Sequence, residues 1–238
     1  MIFEILTLFP RMFDGVFADS IIHRAVSGGH VSIRVCDVRT YSADRHKSVD
    51  DYPYGGGAGM VMTPQPVADA VRAARDRNPD RRTSVVMLSP HGQTLTHRVV
   101  EDLCSFEALV LVCGRYKGID QRVRELCIDR EISVGDYVLS GGEIPAMVVI
   151  DAVTRLIPGV LGDRESAEGD SFYDGLLGPP QYTRPEEFEG RRVPDILLSG
   201  HHERIREWQK EQAETLTRTL RPDLWERHRA RQGEADDS

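Results

Sequence analysis

The chain has 238 residues, 40% of them apolar, and a formal net charge of −8, enough apolar material to bury a core as one large domain or two small ones. No window approaches the ~20 consecutive apolar residues of a membrane span, and Met1-Ile2-Phe3-Glu4 lacks the basic start of a signal peptide. A cytoplasmic globular protein is therefore expected. Cys36, Cys104, Cys113 and Cys127 show neither CxxC nor Cys/His metal spacing, which reads as reduced core thiols and not as a zinc site. The negative charge opposes a polyanionic partner, yet between residues 190 and 232 Lys and Arg outnumber the acids. That local excess fits either a nucleic-acid face or a solvated helix laced with i,i+4 pairs such as Lys210 with Glu214.

In chain order, residues 2–9 form a β-rich apolar run ended by Pro10. Helical spacing follows over 11–25, with Phe13, Val16, Phe17 and Ile21 on one face, until Gly28-Gly29 stops it. Val31, Ile33 and Val35 alternate as a second strand. No glycine fingerprint follows the first strand, which disfavours the common dinucleotide-type fold.

Residues 39–63 carry little apolar periodicity, and a loop of that length is functional or disordered. It joins Arg45-His46-Lys47 to Tyr52, Tyr54 and Gly55-Gly56-Gly57-Ala58-Gly59. Aromatics stack on bases and cations hold phosphates, so the segment suits an extruded nucleotide or is a plain surface loop. It is not a phosphate-binding P-loop, because no Gly-Lys-Ser/Thr closes the glycines.

A helix over 66–77, a strand over 84–89, a helix over 95–104 capped by Thr94, and a strand over 109–113 come next. Strands alternating with helical crossovers predict a largely parallel α/β sheet. The apolar run 132–139 reads as a further strand. Three strand ends then meet at one edge: Leu88-Ser89-Pro90, Cys113-Gly114-Arg115-Tyr116 and Val138-Leu139-Ser140-Gly141. Such loops offer backbone amides and enclose an adenosine-sized ligand. The helix predicted over 143–157 is apolar nearly all round, which demands burial on every side and points to a second subunit. Its lone cation, Arg155, is by composition a structural ion-pair partner or a catalytic group.

Past Pro158 the composition changes. Residues 162–180 are rich in glycine and acids, with Asp163, Glu165, Glu168, Asp170 and Asp174, and read as a linker. A short helix over 184–188, a strand-like run over 193–198, a long helix over 201–220 and a frayed polar tail from Trp225 complete a small, mainly helical C-terminal domain. The expected division is 1–161, linker 162–180, and 181–238.

With Thr7-Leu8-Phe9-Pro10, Val49-Asp50-Asp51-Tyr52-Pro53-Tyr54-Gly55-Gly56-Gly57, Cys113-Gly114-Arg115-Tyr116, Val134-Gly135-Asp136-Tyr137-Val138-Leu139 and Leu198-Ser199-Gly200-His201-His202, the chain resembles the bacterial tRNA (guanine-37-N1)-methyltransferases of the knotted methyltransferase superfamily. The resemblance implies an α/β domain with a deep trefoil knot at the cofactor site, an exception to the rule against knots. It implies S-adenosylmethionine held by Leu88, Ser89 and Pro90, by Gly114, Arg115, Tyr116 and Gly118, and by Ser133, Val134, Gly135, Tyr137, Leu139, Gly141, Gly142 and Pro145. It further implies a homodimer with each active site between subunits, tRNA as substrate gripped by the C-terminal domain, magnesium in catalysis, Asp170 as general base and Arg155 as the assisting cation.

Two positions depart from the family pattern. Lys117 stands where the family usually reads Gly-Arg-Tyr-Glu-Gly, and Gly178 where an acid is common. Two alternatives stay open beside the tRNA enzyme: a knotted methyltransferase acting on ribosomal RNA and, because of Lys117, a homologue that binds RNA or cofactor without turnover.

Overall fold

The computed structural model describes residues 1–161 and 169–236; Asp163, Glu165 and Glu168 of the expected linker lie outside them. The chain divides into two compact units, Met1–Gly162 and Asp163–Ser238.

The first unit contains strands β1 (Ile2–Thr7), β2 (Ser32–Asp37), β3 (Asp50–Asp51), β4 (Val61–Met62), β5 (Thr83–Thr94), β6 (Ala108–Cys113) and β7 (Arg130–Ser133). Five of them make one parallel sheet in the order β2-β1-β6-β5-β7, as the alternation of strands and helices predicts. The helices are α1 (Ser20–Ser27), α2 (Pro64–Asp76), α3 (His97–Cys104), α4 (Gln121–Cys127) and α5 (Glu143–Leu156). Every residue of β6 is buried because both faces of the sheet are covered. Leu109, Leu111 and Cys113 pack with α1, α3 and α5 on one side. Val110 and Val112 pack with α2 and α4 on the other. Each such side chain contributes roughly 1.5–3 kcal/mol relative to exposure.

One buried charge interrupts this sheet. Glu4, in β1, is fully buried; it accepts from Arg77 Nη2 at 2.8 Å, from Asn78 Nδ2 at 3.4 Å, and from Arg34 on the neighbouring strand. The Glu4 hydrogen bond, opposed by partial burial, holds the Arg77 guanidinium above the ordinary arginine range.

Several boundaries differ from the sequence reading. The helix expected over 11–25 is broken into a 3-10 turn, Pro10–Phe13, and α1; Gly15 lies in the interruption and Ser20, with positive φ (62°), restarts the helix, while Phe13 and Phe17 stack at 5.7 Å. Thr96, not Thr94, caps α3, its Oγ1 accepting from Val99 N at 3.4 Å. Thr94 is occupied instead in β5, opposite Ser133. The run 132–139 is strand only to Ser133, where Gly135 (φ 149°) turns the chain and Val138 is left 84% exposed. Helix α4 was not anticipated; its start is fixed by Asp120 Oδ1, which accepts from Arg122 N at 2.9 Å.

Helix α5 buries Ala146, Val149, Ile150 and Val153 but leaves Ile144 and Val148 about half exposed. Within one chain, burial all round is thus not achieved.

The second unit holds a hairpin, β8 (Glu187–Phe188) with β9 (Arg191–Arg192), and helices α6 (Asp195–Leu198), α7 (His202–Leu220) and α8 (Pro222–Asp236). The helix expected over 184–188 is replaced by the hairpin because Glu189 and Gly190 both take positive φ (51° and 76°), the geometry of a tight two-residue turn. The strand expected over 193–198 is α6, entered through Pro194. The tail expected to fray from Trp225 is helical to Asp236, with the Trp225 and His228 rings stacked at 5.9 Å.

Candidate active site

A cleft with a volume of ≈ 210 Å³ opens at the carboxyl ends of β5, β6 and β7, where open α/β sheets place ligands. Its wall is made by three loops. Within β5, residues 89–92 bulge out of the pairing with β7, so that Leu88 and Gln93 both lie opposite Ile132. Gly92 makes this bulge possible, since a Cβ there would stand 2.4 Å from Ile132 N. After Cys113 comes the second loop, in which Tyr116 adopts positive φ (59°), an uncommon state for a non-glycine residue that clusters at ligand sites. The third loop leads from Ser133 into α5.

The loops are stitched to each other. Gly142 N donates to Gly114 O at 2.9 Å, and Arg115 bridges Gly141 as an isolated antiparallel pair. A Cβ on Gly142 would lie 2.7 Å from Cys113 Cα; only glycine permits this approach. Burial, and next the charge of Glu143, push the Cys113 thiol far up, with Arg115 pulling slightly the other way. It is therefore a protonated core group and not a nucleophile.

All the residues from Leu88 to Pro145 expected to surround a cofactor line this cleft. Sequence reasoning missed His91, Ile119, Arg124 and Ile132, which also line it. Ile132 sits in an apolar run that reads only as strand, and Arg124 lies on the unanticipated α4. Lys117 lines the cleft as well. Its N–H donates to Met60 O at 3.0 Å, and its side chain lies along the positive-φ glycines of the 55–59 loop: Cβ atoms built on Gly57 and Gly59 would meet it at 3.3 and 3.2 Å. The Lys117 side chain thus packs between the cleft and that loop. Tyr54 of that loop is fully exposed and Tyr52 nearly so.

The two expected catalytic groups are placed differently. Arg155 lies in the last turn of α5, half-buried. It is not a cleft residue, because α5 begins at the cleft and twelve residues of helix rise carry Arg155 roughly 18 Å along the axis. Asp170 is exposed and belongs to the second unit. There, Gly178 N donates to Ser171 Oγ at 2.9 Å, and Leu177 N donates to Thr217 Oγ1 of α7 at 2.8 Å. Gly178, the milder departure, lies so close to Ser171 that a Cβ would meet its Oγ at 3.4 Å.

Among the described residues no group of three His, Cys, Asp or Glu side chains could hold a metal ion, and no helix is long and apolar enough to cross a membrane. The four cysteines are unpaired thiols.

Comparison with known proteins agrees with this architecture. Residues 1–227 match the family described as tRNA (Guanine-1)-methyltransferase TrmD. A tRNA (guanine-N(1)-)-methyltransferase of Geobacter sulfurreducens is 54% identical over 224 residues, 94% of this chain and 91% of that protein. Proteins of the same name from Clostridium perfringens strain 13 and Halalkalibacterium halodurans are 53% and 52% identical, each over 94% of this chain and 93% and 90% of their own lengths. A glycine-lined cleft at the ends of parallel strands, in a chain matched along almost its whole length, leads to one conclusion: the chain belongs to the tRNA (guanine-1)-methyltransferase family.

Proposed function

We propose that this chain is an S-adenosylmethionine-dependent enzyme that methylates N1 of guanosine 37 in tRNA, beside the anticodon. The observation that carries the reading is the cleft itself. Its loops present backbone groups through Gly114, Gly118, Gly141 and Gly142, and its walls are apolar at Leu88, Ile132, Leu139 and Pro145. This combination fits a flat, neutral adenosine ring held by main-chain hydrogen bonds. When bound, S-adenosylmethionine supplies an electrophilic methyl group.

The chain's own residues have two tasks. Guanine N1 carries a weakly acidic proton; a carboxylate must take it while negative charge moves onto O6. Asp170 is the group assigned to accept that proton, and the Arg155 guanidinium the group assigned to stabilise the oxygen. Since α5 carries Arg155 away from its own cleft, a second copy is needed to bring the cation to a donor site. The exposed Ile144 and Val148 stripe on the same helix supports a homodimer of that kind. The double pairing of Ile132, with residues 89–92 leaving the sheet between the two partners, supports a knotted backbone at the cleft. The second unit, through its stretch 190–232 in which Lys and Arg outnumber the acids, is assigned to the tRNA, and the exposed Tyr52 and Tyr54 to an unstacked base. A cytoplasmic location follows from that substrate. For magnesium, which the resemblance implies, the described residues offer no cluster of three His, Cys, Asp or Glu side chains.

The test is methyl transfer from labelled S-adenosylmethionine to an unmodified tRNA transcript with guanosines at positions 36 and 37. It is run on this chain beside Lys117→Glu, with ribosomal RNA as a second acceptor. Transfer to N1 of guanosine 37 is expected for the natural chain. Background counts with tRNA would overturn the reading, and recovery only in Lys117→Glu would identify Lys117 as the cause.

A further inference from the structure

At the root of the cleft lies a charged group that neither the composition nor the family assignment explains. Glu143 is fully buried at the first position of α5. Its Oε1 accepts from Thr7 Oγ1 at 2.7 Å, and Thr7, itself buried at the end of β1, accepts from Phe9 N at 2.9 Å. Its Oε2 stands 2.9 Å from Arg115 Nε, an ion pair not aligned as a hydrogen bond, with the arginine side chain 15% exposed. Arg115 in turn donates through Nη1 to Ser140 O at 3.2 Å and through Nη2 to Met12 Sδ at 3.0 Å, and lies over the Phe9 ring at 4.4 Å.

A buried carboxylate is costly unless paired. This one, at the start of α5, is paired with groups from two other segments: Thr7 at the end of β1 and Arg115 in the 114–118 loop. Its position at a helix N-terminus adds a favourable dipole. The pair packs directly against the 140–142 loop, since a Cβ on Gly141 would lie 2.3 Å from Arg115 Nε and 2.6 Å from Glu143 Oε2.

We infer that Glu143 is a positioning residue for the methyl-transfer reaction: it fixes Arg115 as a strut that locks the 114–118 and 140–142 loops together, so that the donor cleft exists before the donor arrives. Preorganisation of this kind lowers the ordering cost of binding. Its loss therefore falls on donor affinity. The inference rests on the donor occupying this cleft.

The test compares the full-length protein with Glu143→Gln, which keeps shape and the acceptor for Thr7 but removes the charge, and with Thr7→Val as a milder second variant. Two readouts are taken: amide exchange at Gly142, whose N–H closes the two loops, and calorimetric binding of S-adenosylhomocysteine, with the KM and kcat of transfer alongside. Expected are faster exchange at Gly142 in both variants, a donor Kd and KM raised roughly tenfold in Glu143→Gln and less in Thr7→Val, and a smaller change in kcat. Unchanged exchange at Gly142 would overturn the strut. So would a fall in kcat and melting temperature with donor Kd intact and Gly142 protected, the signature of a merely structural role. Faster exchange with unaltered donor binding would leave the strut standing and remove the donor from this cleft.

Discussion

The two units dispose of their apolar residues in opposite ways. In Met1–Gly162 both faces of the sheet are sealed, and the strands carry almost no exposed apolar side chain. In Asp163–Ser238, Leu176 and Ala213 are the buried hydrophobics among the described residues, while Phe188, Leu198 and Leu220 are half or more exposed. The difference teaches where each unit's order comes from. The first is rigid by its own packing, as a preformed cleft for a small ligand requires. The second depends on short helices, hairpin hydrogen bonds and surface ion pairs such as Arg221 with Asp223 at 2.8 Å, which contribute little each.

The sharpest way to break this contrast is chemical. Asp170→Ala, in the second unit, is expected to lower turnover by about 10²–10⁴-fold while leaving donor affinity within about twofold, because a base acts on the acceptor and not on the donor. A donor Kd that rises in parallel, measured by calorimetry, would mean the two units do not divide the substrates. Next in size is Leu111→Ala at the centre of β6, expected to cost about 3–5 kcal/mol. Both tryptophans, Trp208 and Trp225, belong to the second unit, so their emission reports that unit alone. The denaturant midpoint by circular dichroism should fall, with the tryptophan transition left nearly in place. Coincident shifts by both probes would show one cooperative unit.

Thr217→Val is the complementary change. It leaves the half-buried Leu177 N–H without its acceptor, at a cost of about 1 kcal/mol, and is expected to move the tryptophan transition alone. The smallest effect concerns Cys104. Burial, with the charge of Glu101 adding to it, pushes its thiol up to about 11. A raised thiol pKa keeps the proton on, so at pH 8 only about a thousandth is thiolate. Alkylation by iodoacetamide, followed by mass spectrometry, should be slow there in the folded chain and accelerate as pH rises toward 11. Rapid labelling at pH 8 would show that the α3 face is open.

What the sequence reveals follows the range of the interaction. β6 is legible because six consecutive buried residues admit no other strand type, and the cleft loops because glycines announce close backbone approach at each strand end. The hairpin at Glu189-Gly190 is not, since a non-glycine residue with positive φ gives no local signal. α4 hides behind its charged residues; its apolar face is only Val123 and Cys127. Glu143 is least legible of all. An acid after Gly-Gly at a helix start reads as a surface cap, and nothing local reveals that its partner Thr7 lies 136 residues away. Asp170 and Arg155 came from the resemblance; composition alone left Asp170 one acid among five.

The short chain from Asp170 to Gly178 is folded back on itself, with Phe172 N bonded to Leu176 O at 2.6 Å, and is then fastened to α7 through Thr217. The segment that carries the candidate proton acceptor is therefore tied to a nineteen-residue helix. A hydroxyl in the middle of a helix thus does what a crossing strand would do elsewhere, setting the backbone beside the candidate proton acceptor against a regular element.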